Sequence, residues 1–410
     1  MSDQTFDIVI TSNSPGELYS LVRPVIRSLH RNIPGVRIIL VITPCQYASG
    51  REIEVARSFS EIYEIVFPQE FRKWITNDRP PKGLSFSKKG VVLFMGGDLL
   101  HGALISKKLG FPAYAYTMNR ISWVKNYSIF FVPDKKMAEK ASKKRVPPEK
   151  IKIVGDLMID AALGERSSAE EKDAPSITFM PGSRPAHIKF LAPFFLRTAD
   201  LIRSRNGKIK FAFGLSPYAS VLKLEEFLSG KKMGRTEIRE GAAGRLVSKN
   251  GKKYIISEKG TEVLIIENNP YKAMAAADLI VTIPGTNTAE AAAMGKPMLV
   301  AVPFNKPEAY ILDGLIGIIG NAPVIGKYVK KAAIKVLNRT VKFIALPNRK
   351  ADEMIVPEMR GNLTAEDVAK KAVELLEDPE LLSLTGKKLK KAMGLPGAAQ
   401  KIAEEIAGLT

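Results

Sequence analysis

Three short stretches carry residue types whose spacing could do chemistry on a phosphorylated ligand. IPGTNTAEAAAMGKP, Ile283 to Pro297, follows the apolar run ADLIVT. Gly285 and Thr286 would bring backbone and hydroxyl to a phosphate at a helix N-terminus, and Glu290, on the first turns of that helix, would reach a ribose diol. The same carboxylate could instead complement the helix dipole. FMPGSRPAHIK, Phe179 to Lys189, repeats the pattern: a strand ends in a glycine turn, and Arg184 stands where a planar guanidinium could fork onto a diphosphate. His187 reads as a polar rim residue rather than a base. TSNSPGEL, Thr11 to Leu18, closes the set. Gly16 permits close backbone approach, and Ser12, Asn13 and Ser14 offer hydrogen bonds to a ligand or to an ordinary helix cap. It lacks the GxGxxG spacing of a dinucleotide site.

Such turns need strands to deliver them. In the first half FDIVIT, VRIILVIT, EIYEIVF, VVLFMGG, PAYAYT, IFFVP and IKIVG alternate with helical stretches, one of them Leu18 to Arg31. This predicts a parallel sheet covered on both faces. The rhythm restarts after GERSSAEEKDAPS, a linker by composition, with SITFMPG, KIKFAFGL, TEVLIIEN, DLIVTIPG and PMLVAVPF. Residues 230–261 interrupt it, and SKNGKKYIIS carries an Asn-Gly hairpin signal. Helical segments rich in alanine, leucine and lysine close the chain. The expected domains are residues 1–165 and 175–350, both Rossmann-like, with the insert at 230–261 in the second and helices over 351–410 packing across the cleft between them. In open parallel sheets that cleft lies at strand carboxyl ends.

Composition narrows the classes. A chain of 410 residues with 45% apolar and 25% charged residues fits a two-domain globular protein. No apolar run approaches the ~18 residues that span a bilayer. MSDQTFDIVIT has no secretory pattern, and the single cysteine, Cys45, fits a reducing cytoplasm. The net charge of +20 attracts phosphate, nucleic acid and anionic lipid alike. Nucleic acid is the weaker partner, since no zinc-ligand spacing or RNP-type aromatic motif is present. KKMAEKASKKRVPPEK, Lys135 to Lys150, sets seven basic groups against two glutamates, either on a helix facing an anionic bilayer or on a solvated face. In Phe71 to Gly90, FRKWITNDRPPKGLSFSKKG, aromatics interleave with lysine and arginine as interfacial segments do. Peripheral attachment to the inner face of the cytoplasmic membrane is the resulting expectation.

Several of these motifs, in order, resemble the lipid-A-disaccharide synthase family. PGSRPAHI resembles its PGSR turn, IPGTNTAEAAAMGKPMLV its SGT-(A/T)-x-x-E block, Ala345 to Asn348 and Pro357–Glu358 its LPN and PE elements, and VGDLMID, Val154 to Asp160, its segment at the domain junction. The resemblance implies an α/β GT-B fold of two Rossmann-like doubly wound domains. It also implies an inverting transfer of an acylated glucosamine-type sugar from a UDP donor to a lipid-linked sugar, with no cofactor and no metal. Carried over, it places Ser183, Arg184, Gly285, Thr286, Asn287, Glu290, Asn348 and Glu358 at the donor. Asn13, Ser14, Gly16 and Glu17 fall on the acceptor side, and Asp98, at a strand's carboxyl end, is the general base. The chain departs from the family at Asn13 (glutamate there), Glu17 (aspartate), Asp156 (histidine) and Pro284 (serine), and at TMNRISW, Thr117 to Trp123. A UDP-sugar 2-epimerase, a glycosyltransferase of the same fold with a different acceptor, and a binding protein without turnover are the competing readings.

Overall fold

Strands buried on both faces read as unbroken apolar runs, and the runs of the first half become seven parallel strands: β1 (Phe6–Ser12), β2 (Arg37–Ile42), β3 (Glu64–Val66), β4 (Lys89–Phe94), β5 (Ala113–Tyr116), β6 (Ile129–Val132) and β7 (Ile151–Ile153). They lie in the order β3-β2-β1-β4-β5-β6-β7 in a computed structural model that describes residues 5–44, 51–77, 79–164, 174–230, 240–304 and 341–410. Every residue of β1 is buried, and Ile8 stands in register with both Ile38 and Val91. The inferred linker and Cys45 fall almost wholly outside the described residues.

The second half forms eight strands: β8 (Ser176–Met180), β9 (Lys210–Gly214), β10 (Gly244–Lys249), β11 (Lys252–Ser257), β12 (Glu262–Ile266), β13 (Leu279–Thr282), β14 (Met298–Pro303) and β15 (Glu358–Gly361), ordered β10-β11-β12-β9-β8-β13-β14-β15. Phe179, Phe194, Phe195 and Phe213 are fully buried in its core, where Phe179 and Phe195 stack with centroids 5.4 Å apart.

Contacts divide the chain into Met1–Gly164 with Leu395–Thr410, and Glu165–Gly394. The closing segment 351–410 is therefore not one body. The helices Ala365–Leu376 and Pro379–Met393 belong to the second unit, whereas Ala398–Ala407 belongs to the first. The carboxylate of Asp160 fixes that last helix, accepting from the N–H groups of Gly397 (2.5 Å) and Ala399 (2.6 Å). Gln400 then exchanges hydrogen bonds with Asn32 and Ser28.

The Asn-Gly signal is confirmed: Asn250 (φ 49°) and Gly251 (φ 72°) join β10 to β11 in a tight turn with both central residues left-handed. The hairpin pairs antiparallel with β12, so this part of the insert extends the sheet edge; residues 231–239 lie outside the described residues. The helix expected from Leu18 starts at Pro15 and passes through a π-helical stretch, Leu18–Val22, before Arg23–Asn32. Pro24 explains the widening, because its ring would clash with the carbonyl four residues back in regular α geometry.

In both sheets the chain runs outward from a first strand and then returns to build on its other side. The reversal falls between β1 and β4 in the first unit and between β8 and β13 in the second. Ligand crevices form at such points, beyond the strands' carboxyl ends.

Candidate functional site

At the second reversal, Thr282 of β13 is in register with Met180 of β8, so the turns that follow leave side by side. One runs through Gly182, Ser183 and Arg184 into the helix Pro185–Arg205, and the other through Gly285 into the helix Thr286–Ala293. Gly182 has φ +101°, and a Cβ there would lie 2.5 Å from His187 Nδ1 and 3.0 Å from Ile283 Cδ1. Only glycine fits where the turns meet. Gly285 is extended (φ 164°), yet a Cβ would come within 2.8 Å of Asn287 Oδ1. Asn287 donates to Thr282 Oγ1, while Thr288 Oγ1 donates to the Gly285 carbonyl (2.8 Å) and accepts from Leu346 N–H (3.2 Å). These bonds hold the second turn open, with two helix N-termini and the half-buried Ser183, Arg184 and Thr286 beside them. Such an arrangement suits a polyanion.

Other expected donor residues have work within the fold. Glu290 is only 5% exposed and accepts from Tyr271 Oη at 3.1 Å. Reasoning from sequence missed Tyr271, although NNPYKAM carries the cap and proline that start its helix, with Asn269 as the cap. Asn348 is fully buried. Its Nδ2 donates to Val356 O (2.8 Å) and Glu358 Oε1 (2.9 Å), and its Oδ1 accepts from the N–H groups of Ile355 (2.9 Å) and Val356 (3.0 Å). That uses every hydrogen bond an amide side chain has. Glu358 also accepts from the N–H groups of Ile344 and Ala345 and pairs with Arg360. Burial pushes its carboxyl up, but Arg360 and these donors outweigh it and hold it below the usual range. Asn348 and Glu358 thus lock the Leu346 turn that touches Thr288. His187 is half-buried beside the turn: its Nδ1 is buried against Gly182, and burial with the nearby Arg184 charge lowers its pKa to about 4.

At the first reversal, the loop after β1 meets the loop after β4. Ser14 N–H and Glu17 Oε2 lie 3.4 Å apart, as do Glu17 N–H and Ser14 Oγ, the reciprocal pattern of a capping box. Gly16 leads into Glu17 in the same turn. The Glu17 carboxylate packs against the facing loop so closely that a Cβ on Gly96 would sit 2.0 Å from Oε2. Burial raises its pKa, partly offset by hydrogen bonds from Ser14, Asn13 and Gly97. Gly97 has φ +90°, and a Cβ there would lie 3.0 Å from both Asn13 Nδ2 and Thr43 Oγ1. Asp98 is exposed at the start of the helix Leu99–Leu109, where Oδ1 caps Leu100 N–H at 2.9 Å. Asp156 is likewise a helix cap, accepting from Met158 N–H at 3.0 Å.

The interfacial reading of Phe71 to Gly90 is corrected. Phe71, Trp74 and Leu84 are buried in the first core, and Trp74 stacks on Phe86, because the apolar positions of the helix Pro68–Asn77 face the sheet. The basic helix Lys135–Lys143 buries Met137 and Ala141 and exposes Lys135, Lys136, Lys140 and Lys143. Lys140 Nζ donates to Asn119 O (2.5 Å), which brings the helix to a loop where Met118 (37%) and Trp123 (48%) stand exposed. Among the described residues no helix is long and apolar enough to cross a membrane.

With this geometry in hand, comparison with known proteins defines the fold class. No protein-family model matches the chain. It is similar to the lipid-A-disaccharide synthase of Histophilus somni (strain 2336), 28% identical over 205 residues, or 50% of this chain and 40% of that one. It is also similar to the enzyme of that name from Syntrophus aciditrophicus (strain SB), 24% identical over 264 residues, or 62% and 56%. The chain spans about half the length of the curated relatives it matches. Among solved structures, UDP-GlcNAc 2-epimerase from Neisseria meningitidis aligns at TM-score 0.55 and 13% identity, covering 98% of this chain and 99% of that one. Acinetobacter baumannii MurG aligns at 0.50 and 13%, covering 98% and 99%. The fold is GT-B: two Rossmann-like α/β units with C-terminal helices.

Replacing Asn348 by alanine leaves two N–H groups, a carbonyl and part of Glu358 unpartnered. We expect a loss of roughly 3 kcal/mol in stability, read as a lower denaturant midpoint. An unchanged midpoint would show that the amide is not structural.

Proposed function

We propose that the protein is a glycosyltransferase that moves a glucosamine-type sugar from a UDP donor to a lipid-linked sugar, with inversion at the anomeric carbon. The observation that carries this reading is the pair of glycine turns at the β8/β13 reversal, which bring two helix N-termini and the half-buried Arg184 side by side. As UDP departs, charge builds on its diphosphate. First-turn N–H groups, the Thr286 hydroxyl and Arg184 would stabilise that charge without reorganising. Pro284 supplies no hydroxyl, so the backbone carries more of the task. The acceptor belongs at the β1/β4 reversal, where Asn13, Ser14, Gly16 and Glu17 face Gly96 to Asp98. The two relatives named above support the sugar class and the lipid-linked acceptor. The exposed lysines of Lys135–Lys143, beside Met118 and Trp123, support peripheral attachment at an anionic, cytoplasmic membrane face.

A UDP-release assay across UDP-sugars and glucosamine-based lipid acceptors tests the reading. We expect acceptor-dependent release with an N-acylated glucosamine donor, and a loss of 100-fold or more in kcat/KM for Arg184→Ala. Conversion of a UDP-sugar to its C2 epimer without acceptor would replace the transfer reading by an epimerase.

Attachment is read by cosedimentation with vesicles of anionic phospholipid. Binding should fall as salt rises and weaken by about fivefold for each lysine among Lys136, Lys140 and Lys143 changed to glutamine, at ~1 kcal/mol per charge. Binding indifferent to salt and to these changes would rule the surface out.

A further inference from the structure

We infer that Glu17, rather than Asp98, is the carboxylate that takes the acceptor's proton, with Asn13 and Thr43 orienting the acceptor hydroxyl. The inference rests on the transfer proposed above and assigns its base.

Two carboxylates stand at the β1/β4 reversal, and their surroundings differ. Asp98 is exposed and engaged as a helix cap through Leu100 N–H. Glu17 is half-buried, and its carboxylate lies against Gly96, where any side chain would collide with it. Around it is a polar cluster with unused capacity. Thr43 Oγ1 is buried with no hydrogen-bond partner among the described residues, and so are the hydroxyls of Thr11 and Ser12 at the end of β1. Among the described residues Asn13 Nδ2 has one long approach, 3.5 Å to Pro44 O, and both it and Thr43 Oγ1 border Gly97. A buried hydroxyl without a partner costs free energy that a ligand hydroxyl would recover. One carboxylate acceptor, one amide donor and one hydroxyl, grouped against two glycines, suit a sugar hydroxyl better than an anion.

The acceptor oxygen forms a bond to C1 of the donor sugar as its proton passes to a Glu17 oxygen. The C1–O bond to the diphosphate breaks, and its electron pair leaves on UDP. Glu17 must be ionised to act. Because burial holds its carboxyl above the ordinary range, against the hydrogen bonds of Ser14, Asn13 and Gly97, the rate should be full above that raised pKa and fall as pH drops through it. Titratable groups on the neighbouring elements include Asp98, which accepts from Leu100 N–H, His101 on the same helix, held low by burial, Asp156 and Asp160 at the helix Leu157–Leu163, and Arg23, 4.6 Å from the Tyr19 ring centroid.

The test compares Glu17→Gln with Asp98→Asn across pH, with UDP affinity and the thermal midpoint as controls for folding. We expect Glu17→Gln to bind UDP as wild type does, to lose 100-fold or more in kcat and to lose the acid limb of its pH–rate profile. Asp98→Asn should keep that limb and stay within about tenfold in rate, below the usual worth of a general base. A limb removed by Asp98→Asn but kept by Glu17→Gln overturns the assignment. Should Glu17→Gln unfold, Thr43→Val provides a second reading: acceptor KM should rise while donor KM holds, and an unchanged acceptor KM counts against the site. Wild-type protein that neither binds UDP nor releases it from any donor overturns the transfer reading and this inference together.

Discussion

A parallel sheet that builds outward from its first strand and then reverses leaves two loops with no crossover between them. The rest of this molecule's chemistry depends on that constraint. The reversal exposes first-turn N–H groups that no helix can satisfy internally, and it sets the ends of two strands about one strand spacing apart, roughly 5 Å. The chain meets this condition twice. In the second unit the loops carry glycines, hydroxyls and Arg184. In the first they carry an amide, hydroxyls and a desolvated carboxylate. The same topology would serve the proposed anion seat in one unit and the proposed proton-accepting site in the other.

The glycines make this possible by subtraction. At Gly96, Gly97 and Gly182 a single added carbon would strike Glu17, Asn13 with Thr43, or His187. Each is a place where a side chain approaches facing backbone. A substitution at these positions would displace the functional group itself, which separates them from glycines that only end a helix.

Much of the fold was legible because it depends on local pattern. Apolar runs flanked by Gly and Pro marked twelve of the strands in order, and the Asn-Gly pair marked two more, the hairpin. β15 was missed since EMRG is short and polar, and its place at the sheet edge comes from pairing with β14. The site was legible only in part, because burial and partners are set by residues far away in the chain. Nothing near Glu17 announces that Gly96 will desolvate it. Asn348 and Glu358 look like ligand groups until Ile344, Ile355 and Val356 are seen to use their hydrogen bonds. Phe71 and Trp74 look interfacial until the helix they share turns them to the core.

A diphosphate seat at the β8/β13 reversal is what the proposed UDP-sugar chemistry most needs. A crystal structure with UDP bound tests it most directly. The diphosphate should lie against the backbone N–H groups that follow Gly182 and Gly285, with the Arg184 guanidinium on its oxygens. A diphosphate bound elsewhere, with Arg184 and both turns untouched, would contradict it.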